Sequence, residues 1–195
     1  MGVATLRRDP RMTIDEFHDF VSGRPDDEKW ELIDGEPILN ATPVRFHQLL
    51  VLNIAAALEE AARARNASWT AIPGTSVIAP DDPFNAPEPD VLVAPAANWT
   101  EWKATDAICV FEVISPDSRS RDLRRKPEIY ARSPTLTDYV VVSQKKVEAI
   151  HFARSNGWNP VVVDRLDRSL RLEGIGIDLP LGRIYRRSPL DPTYG

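Results

Sequence analysis

Three short, almost wholly apolar runs place the strongest constraint on how this chain can fold. They cover residues 90–94, 107–115 and 138–143. Apolar runs of this length predict strands that are buried on both faces of a sheet. Hydrophobic residues make up 43% and charged residues 27% of the 195 residues, which is an ordinary balance for a globular protein. The chain is therefore expected to fold around a buried central sheet.

Two segments before these runs carry helix signals. Thr13 and Glu16 form the capping-box pattern, in which each side chain binds the other residue's backbone, and Gly23 ends the helix that follows. Residues 46–65 are rich in alanine and place apolar side chains along one broad face. This segment gives the strongest helix signal in the chain.

A hairpin and a further helix are also indicated. Asp34-Gly35 lies between two apolar runs and predicts a tight turn within a hairpin over residues 30–39. Residues 119–132 predict a helix that contains Pro127. The alternative is a helix that begins near Lys126, because a proline in the first turn costs no hydrogen bond.

Further strands are predicted on both sides of the central runs. Residues 69–72 and 76–79 are short strand-like segments, and residues 147–153 and 160–165 are typical of a hairpin. Residues 170–172 are expected to extend that hairpin. The element order predicts an α/β or mixed α+β fold.

The length fits one domain, since domains typically run to about 100–200 residues. We predict a single domain over residues 12–187, a flexible N-terminal arm over residues 1–11 and a C-terminal tail over residues 188–195.

Charge and cysteine content narrow the function classes. The net charge of −5 argues against a protein that coats nucleic acid by bulk charge, although it leaves room for a local basic groove. The single cysteine, Cys109, excludes an internal disulfide and a multi-cysteine zinc site, and it suits a reducing cytoplasm. Residues 49–58 form the longest apolar stretch, which is shorter than the roughly 20 residues of a membrane span.

Glu112 is a carboxylate inside a run that otherwise belongs in a core. Strand alternation places it on the same face as Val110 and Ile114. A buried carboxylate is costly unless a cation accompanies it. A bound metal ion would meet that need, and so would an ion pair with Lys126 or a nearby arginine.

Asp90 follows Pro89 and opens the first apolar run. At the mouth of a central strand, its carboxylate is well placed to help hold a divalent ion such as Mg²⁺, which is bound by one or two carboxylates together with waters and substrate phosphates. The alternative is an aspartate that serves only the turn.

Residues 118–132 form a basic segment in an acidic chain. Six basic residues stand against two acidic ones, a local net charge of +4. Such a segment beside two carboxylates suits an enzyme that acts on a phosphodiester, while a solvated helix face is the alternative. Glu31 in the hairpin and His47 at the start of the long helix are weaker candidates.

Several of these features occur in an order that resembles the Uma-type endonuclease family of the PD-(D/E)XK nuclease superfamily. The resemblance covers about residues 12–187. It rests on the segments Trp30-Glu31-Leu32-Ile33-Asp34-Gly35-Glu36, His47, Pro89-Asp90-Val91, Glu112-Val113-Ile114-Ser115-Pro116, Asp122 with Lys126 and Tyr130, and Asp138-Tyr139-Val140-Val141-Val142.

The resemblance implies a restriction-endonuclease-like core, in which helices flank a mixed central sheet and the active site lies at one edge of that sheet. Asp90 and Glu112 match the two acidic residues of the superfamily motif. The motif lysine is expected where Ile114 stands, and Lys126 on the following helix matches the position that takes its role in this family. Arg125 departs from the family pattern, which commonly has an acidic residue there, and so does Pro127.

The resemblance also implies a cofactor and a reaction. Asp90, Glu112 and the Val113 carbonyl would hold Mg²⁺ or Mn²⁺, and Glu31 would complete the metal shell. The reaction is phosphodiester hydrolysis, with DNA as the expected substrate and a homodimer as the expected assembly.

Contacts with the substrate are expected from basic side chains near the site, namely His47, Arg119, Arg121, Arg124 and Arg125. Two other functions stay open. One is a catalytically inactive nuclease-fold module that binds nucleic acid or a protein partner. The other is a hydrolase that uses a carboxylate pair on sugars.

Overall fold

Helices and small hairpins surround one six-stranded mixed sheet in the computed structural model, which describes residues 10–25, 27–97, 102–114 and 121–194. A π-helical turn covers Arg121–Arg125, and a 3₁₀ turn covers Arg154–Asn156. The elements in chain order are α1 (Ile14–Ser22), β1 (Trp30–Ile33), β2 (Glu36–Leu39), α2 (Arg45–Arg65), β3 (Trp69–Pro73), β4 (Ser76–Val77), β5 (Val91–Pro95), β6 (Lys103–Ala104), β7 (Cys109–Ile114), α3 (Lys126–Tyr130), β8 (Asp138–Ser143), β9 (Ala149–Ala153), β10 (Pro160–Val163), β11 (Ser169–Leu172), β12 (Ile177–Pro180) and α4 (Leu181–Ile184).

The main sheet has the strand order β10-β9-β8-β7-β5-β3. Strands β7 and β8 run parallel, and the other neighbours are antiparallel. The three apolar runs form β5, β7 and β8, which lie side by side in the interior of the sheet, and β7 and β8 are buried along their whole length. The predicted mixed fold with a buried central sheet is confirmed.

The two faces of the sheet are covered by different elements. Helix α2 packs its buried side chains, such as Leu58, on the face that carries Phe111 and Val113. The opposite face carries Val110 and packs against Tyr130 at the end of α3. Because alternate residues of a strand share a face, Glu112 points with Val110 toward the side of α3.

The local signals at the start of the chain are also confirmed. The Glu16 amide donates to Thr13 Oγ1 at 3.3 Å, and the Thr13 amide donates to Glu16 Oε2 at 3.0 Å, which completes the capping box of α1. Asp34 and Gly35 have φ angles of 54° and 80° between β1 and β2. Two consecutive positive φ angles are characteristic of the type I′ hairpin turn, which Asp-Gly favours.

In the C-terminal third, the predicted hairpin is confirmed by the antiparallel pair of β9 and β10, but one element departs from the prediction. Residues 170–172 do not extend the hairpin of β9 and β10, and that prediction is wrong. They lie in β11, which pairs with β12 as a separate two-stranded sheet. The reason is that Leu170 and Leu172 point into the core with Ile177 and Leu179, so the next segment in sequence supplies their partner.

Of the two predicted starts for the helix that contains Pro127, the start near Lys126 is confirmed. Regular α-helix begins at Lys126 with Pro127 in its first turn, and a π-helical turn precedes it. Only residues 10 and 11 of the predicted arm, and residues 188–194 of the predicted tail, lie among the described residues. Within the described part of the chain, every helix is too short or too polar to cross a membrane.

The packing of α2 predicts a sharp contrast between two leucines on the same helix. Leu58 is fully buried, whereas Leu52 is 64% exposed. We expect Leu58→Ala to lower the free energy of unfolding by about 2–5 kcal/mol, because it removes buried methyl groups and leaves a cavity. Leu52→Ala is the matched control and is expected to stay within about 0.5 kcal/mol of the wild type. Urea unfolding measures both, and equal losses would contradict the packing described.

Candidate active site

A buried lysine lies between two buried glutamates on the α3 side of the sheet. The Lys126 Nζ donates to Glu31 Oε1 at 2.7 Å and to Glu112 Oε1 at 2.6 Å. A third carboxylate oxygen, Asp122 Oδ1, is 3.4 Å from the same nitrogen. All four side chains are buried. The cation that the sequence of β7 requires is therefore present within the chain itself.

The π-helical turn and α3 supply three of the groups around Glu112. Asp122 lies one turn before Lys126, and Tyr130 lies one turn after it, so all three reach the same side. The Tyr130 hydroxyl donates to Glu112 Oε1 at 3.1 Å. Short π-helical segments occur frequently at functional sites, and this one brings the Lys126 ammonium to the sheet.

The hairpin of β1 and β2 supplies Glu31. Its Oε1 accepts the Glu88 amide at 2.9 Å, and its Oε2 accepts Asn40 Nδ2 at 3.0 Å. Arg121 NH2 lies 3.4 Å from the same Oε2. The carboxylate is thus held by partners from three separate segments, which fixes its position beside Lys126.

Asp90 stands one residue before β5, next to Glu112 on the paired strand β7. Val91 lies opposite Phe111 in the register, which places Asp90 beside Glu112 across the ladder. Asp90 Oδ2 accepts the Val113 amide at 2.7 Å. Its other oxygen, Oδ1, lies 3.2 Å from both Lys29 Nζ and His47 Nε2. The two acidic groups therefore meet where β5 begins and β7 nears its end.

A family model described as "Uma2: Putative restriction endonuclease" matches residues 14–182. The chain belongs to the Uma2 family. The match spans every residue placed in the site above, and it confirms the resemblance to restriction-endonuclease-like nucleases.

Two similar proteins extend this comparison. "Uncharacterized protein slr1290" from Synechocystis is 30% identical over 105 residues, which cover 53% of this chain and 55% of that protein, so the match spans about half the length of the curated relative. The solved structure of "a putative nuclease belonging to DUF820" from Anabaena variabilis superposes with a TM-score of 0.72 at 14% identity, covering 89% of this chain and 97% of the other. At that identity the likeness shows a shared fold.

Burial and nearby charges shift the pKa values of Glu112 and Lys126 in this site. Burial raises the pKa of Glu112 well above its ordinary value; the charge of Lys126 opposes this, and the neighbouring carboxylates of Asp122 and Glu31 add to it. Burial lowers the pKa of Lys126, but Glu112, Glu31 and Asp122 raise it more, so the net shift is upward. Lys126 is therefore a fixed cation at neutral pH.

Asp90 behaves differently from Glu112. Burial raises the pKa of Asp90, but the hydrogen bond from His47, the charge of Lys29 and the Val113 amide outweigh it and hold the pKa well below its usual range. Asp90 is therefore ionised at neutral pH and presents a full negative charge beside Glu112.

The oxygen donors of this site fit a hard divalent cation. Within the described residues, no group of three or more His, Cys, Asp and Glu side chains is arranged to hold a metal. Mg²⁺ needs only one or two carboxylates, because waters and phosphates complete its shell, and Asp90 and Glu112 supply two. The carbonyl and amide of a strand residue point to the same side, so the Val113 carbonyl lies on the β5 side of β7, as its amide does.

The basic residues that were predicted to contact the substrate lie in different surroundings. His47 lies against Asp90, and Arg121 donates to Asn40 Oδ1 at 2.7 Å beside Glu31. Arg125 pairs with Asp34 of the hairpin and with Glu128. Arg124 is exposed, and Arg119 lies outside the described residues. Acidic groups from the hairpin thus neutralise part of the positive charge of segment 118–132.

Three groups in the site had no predicted role, although the family resemblance included two of them, Asp122 and Tyr130. Asp122 and Tyr130 lie four residues before and after Lys126, and that helical spacing was the signal for them. Lys29 directly precedes β1, and its sequence position gives no indication that it reaches Asp90. Lys29 and Asp90 come into contact only in the folded structure.

The Lys126 contacts predict a large loss of stability when the cation is removed. Lys126→Met removes the cation that is hydrogen-bonded to both buried glutamates, Glu31 and Glu112, so we expect urea unfolding at neutral pH to show a loss of about 3–5 kcal/mol. Arg171→Met, which breaks an exposed pair with Asp178, is the control and should leave the unfolding midpoint unchanged. Adding Glu31→Gln and Glu112→Gln to Lys126→Met should recover part of the loss. Wild-type stability of Lys126→Met would contradict the role of the buried cation.

The lowered pKa of Asp90 predicts that its carboxylate makes a pH-dependent contribution to the stability of the metal-free protein. Because its folded pKa is lowered, its contribution is present above the ordinary value of 3.8 and is lost as the pH falls below it. Asp90→Asn should therefore be less stable than the wild type at about pH 6, and the difference should shrink toward about pH 3. Urea unfolding at both pH values, with exposed Asp178→Asn as the control, measures this. A difference that stays constant or grows on acidification would refute it.

Proposed function

We propose that this chain is a metal-dependent endonuclease that hydrolyses phosphodiester bonds in DNA. The observation that carries the proposal is the meeting of Asp90 and Glu112 across β5 and β7, with the Lys126 ammonium 2.6 Å from Glu112. Membership of the Uma2 family supports the same reaction class.

Asp90, Glu112 and the Val113 carbonyl are the groups that would hold Mg²⁺ or Mn²⁺, with Glu31 as a further ligand. Such an ion, when bound, polarises a phosphate and lowers the pKa of its bound water. Asp90 is ready for this role because it is ionised and its carboxylate is held in place by the Val113 amide.

Lys126 acts through its charge. A lysine whose pKa is raised keeps its proton, so Lys126 does not serve as a general base. It holds Glu31 and Glu112 in position, and its positive charge stabilises negative charge that develops beside them. His47 fixes the orientation of Asp90 from α2.

The proposal also covers the oligomeric state of the protein and its location in the cell. Cutting both strands of a duplex favours two active sites, and we therefore propose a homodimer as the active form. Cys109 is a free, buried cysteine, which suits a reducing cytoplasm.

A second candidate is a nuclease-fold module that binds nucleic acid or a protein without cutting. One observation favours it. Lys126 already neutralises Glu31 and Glu112, and Lys29 already accompanies Asp90. A site whose carboxylates have internal cations can be stable without a metal.

Cleavage of supercoiled plasmid separates the two candidates. We expect nicking with Mg²⁺ or Mn²⁺ that stops with EDTA, and that falls at least about 100-fold in Asp90→Asn and in Glu112→Gln. Exposed Asp178→Asn is the matched acidic control and should cut like the wild type. Circular dichroism of each variant verifies that it is folded.

Two outcomes would overturn the nuclease proposal. The first is cleavage that continues with EDTA or in folded Asp90→Asn. The second is a wild type that does not cut and shows no heat of Mn²⁺ binding by calorimetry, which would favour the non-catalytic module.

A further inference from the structure

Two lysines border the acidic site, and they differ in access to solvent. The Lys126 side chain is 2% exposed, whereas the Lys29 side chain is 31% exposed. A phosphate of a polynucleotide stays in water until it binds, so the two ammonium groups are not equally available to it.

Two of the three donors of the Lys126 ammonium are used by buried carboxylates. An ammonium group has three donors, and around Lys126 three carboxylates accept them or lie close: Glu31 at 2.7 Å, Glu112 at 2.6 Å and Asp122 at 3.4 Å. Turning this group toward a substrate would leave buried carboxylates without their cation, which is a large cost.

The Lys29 ammonium has looser partners. It lies 3.2 Å from Asp90 Oδ1 and 4.0 Å from Glu88 Oε1. Asp90 does not depend on it alone, because His47 and the Val113 amide hold the same carboxylate. Asp90 therefore keeps two hydrogen-bond partners, His47 and the Val113 amide, when Lys29 leaves it.

The backbone of Lys29 is fixed while its side chain has reach. The Lys29 carbonyl accepts the Asn40 amide at 2.9 Å, which ties the residue to the hairpin. The flexible four-carbon stem then lets the ammonium move over the surface beside Asp90.

We propose that Lys29 is the lysine that contacts the substrate phosphate, while Lys126 is the internal counter-ion of Glu31 and Glu112. The inference rests on the proposed nuclease function and names a residue that the sequence motif does not contain. It assigns the two roles of one motif lysine to two residues. Lys29, which directly precedes the hairpin, contacts the phosphate, and Lys126 in α3 is the internal counter-ion.

The test compares Lys29→Gln with Lys29→Arg and with Arg171→Gln, which removes an exposed, carboxylate-paired cation from β11. Binding of a short fluorescent DNA duplex is measured in EDTA, where metal-dependent cutting does not interfere, over a series of salt concentrations. One lost phosphate contact should make the slope of log affinity against log salt shallower by about 1. Plasmid nicking with Mg²⁺ and thermal unfolding are measured on the same proteins.

We expect Lys29→Gln to stay folded, with an unfolding temperature only slightly below that of the wild type, to lose about one unit of salt slope and to cut at least about 100-fold more slowly. Lys29→Arg should keep the salt slope, and Arg171→Gln should match the wild type in all three measurements. If the wild type binds and cuts DNA but Lys29→Gln keeps its salt slope, the role of Lys29 is wrong and the nuclease function stands. If the wild type neither binds nor cuts DNA, both fall.

Discussion

The burial of one ammonium group determines how the separate parts of this protein fit together. Moving an ion from water into a protein interior costs several kcal/mol even after relaxation. The burial of the Lys126 charge is offset by two carboxyl groups, Glu31 from the hairpin and Glu112 from the middle of the sheet. The lysine in turn donates a hydrogen bond to each of these buried glutamates. Hairpin, sheet and α3 are thus joined by a contact that fails if any one of them moves.

Much of the fold could be predicted from local sequence patterns, because interactions between residues close in sequence determine the strands and turns. Almost wholly apolar runs predicted the three central strands, and Asp34-Gly35 predicted the hairpin turn. The need of Glu112 for a cation was also visible, since a carboxylate within an apolar strand is costly in any fold. The choice between a metal ion and Lys126 was not visible, because both satisfy the same carboxylate.

The parts that could not be predicted depend on contacts between distant segments. Lys29 and Asp90 are 61 residues apart, and no local pattern links them. Residues 170–172 have strand character, but their partner is decided by which neighbouring segment completes the core over α2. Their pairing with β12 is a consequence of burial, and alternation alone does not specify a partner.

The π-helical turn before Lys126 has a consequence for the permitted length of this chain. In a regular α-helix each residue adds about 100° of rotation, so the gain or loss of a single residue between 121 and 125 would swing Lys126 and Tyr130 away from Glu112. Loops elsewhere on a protein surface usually absorb such changes. This five-residue segment therefore acts as a fixed-length spacer, and evolution of this protein is not free to vary the number of residues from 121 to 125 one at a time.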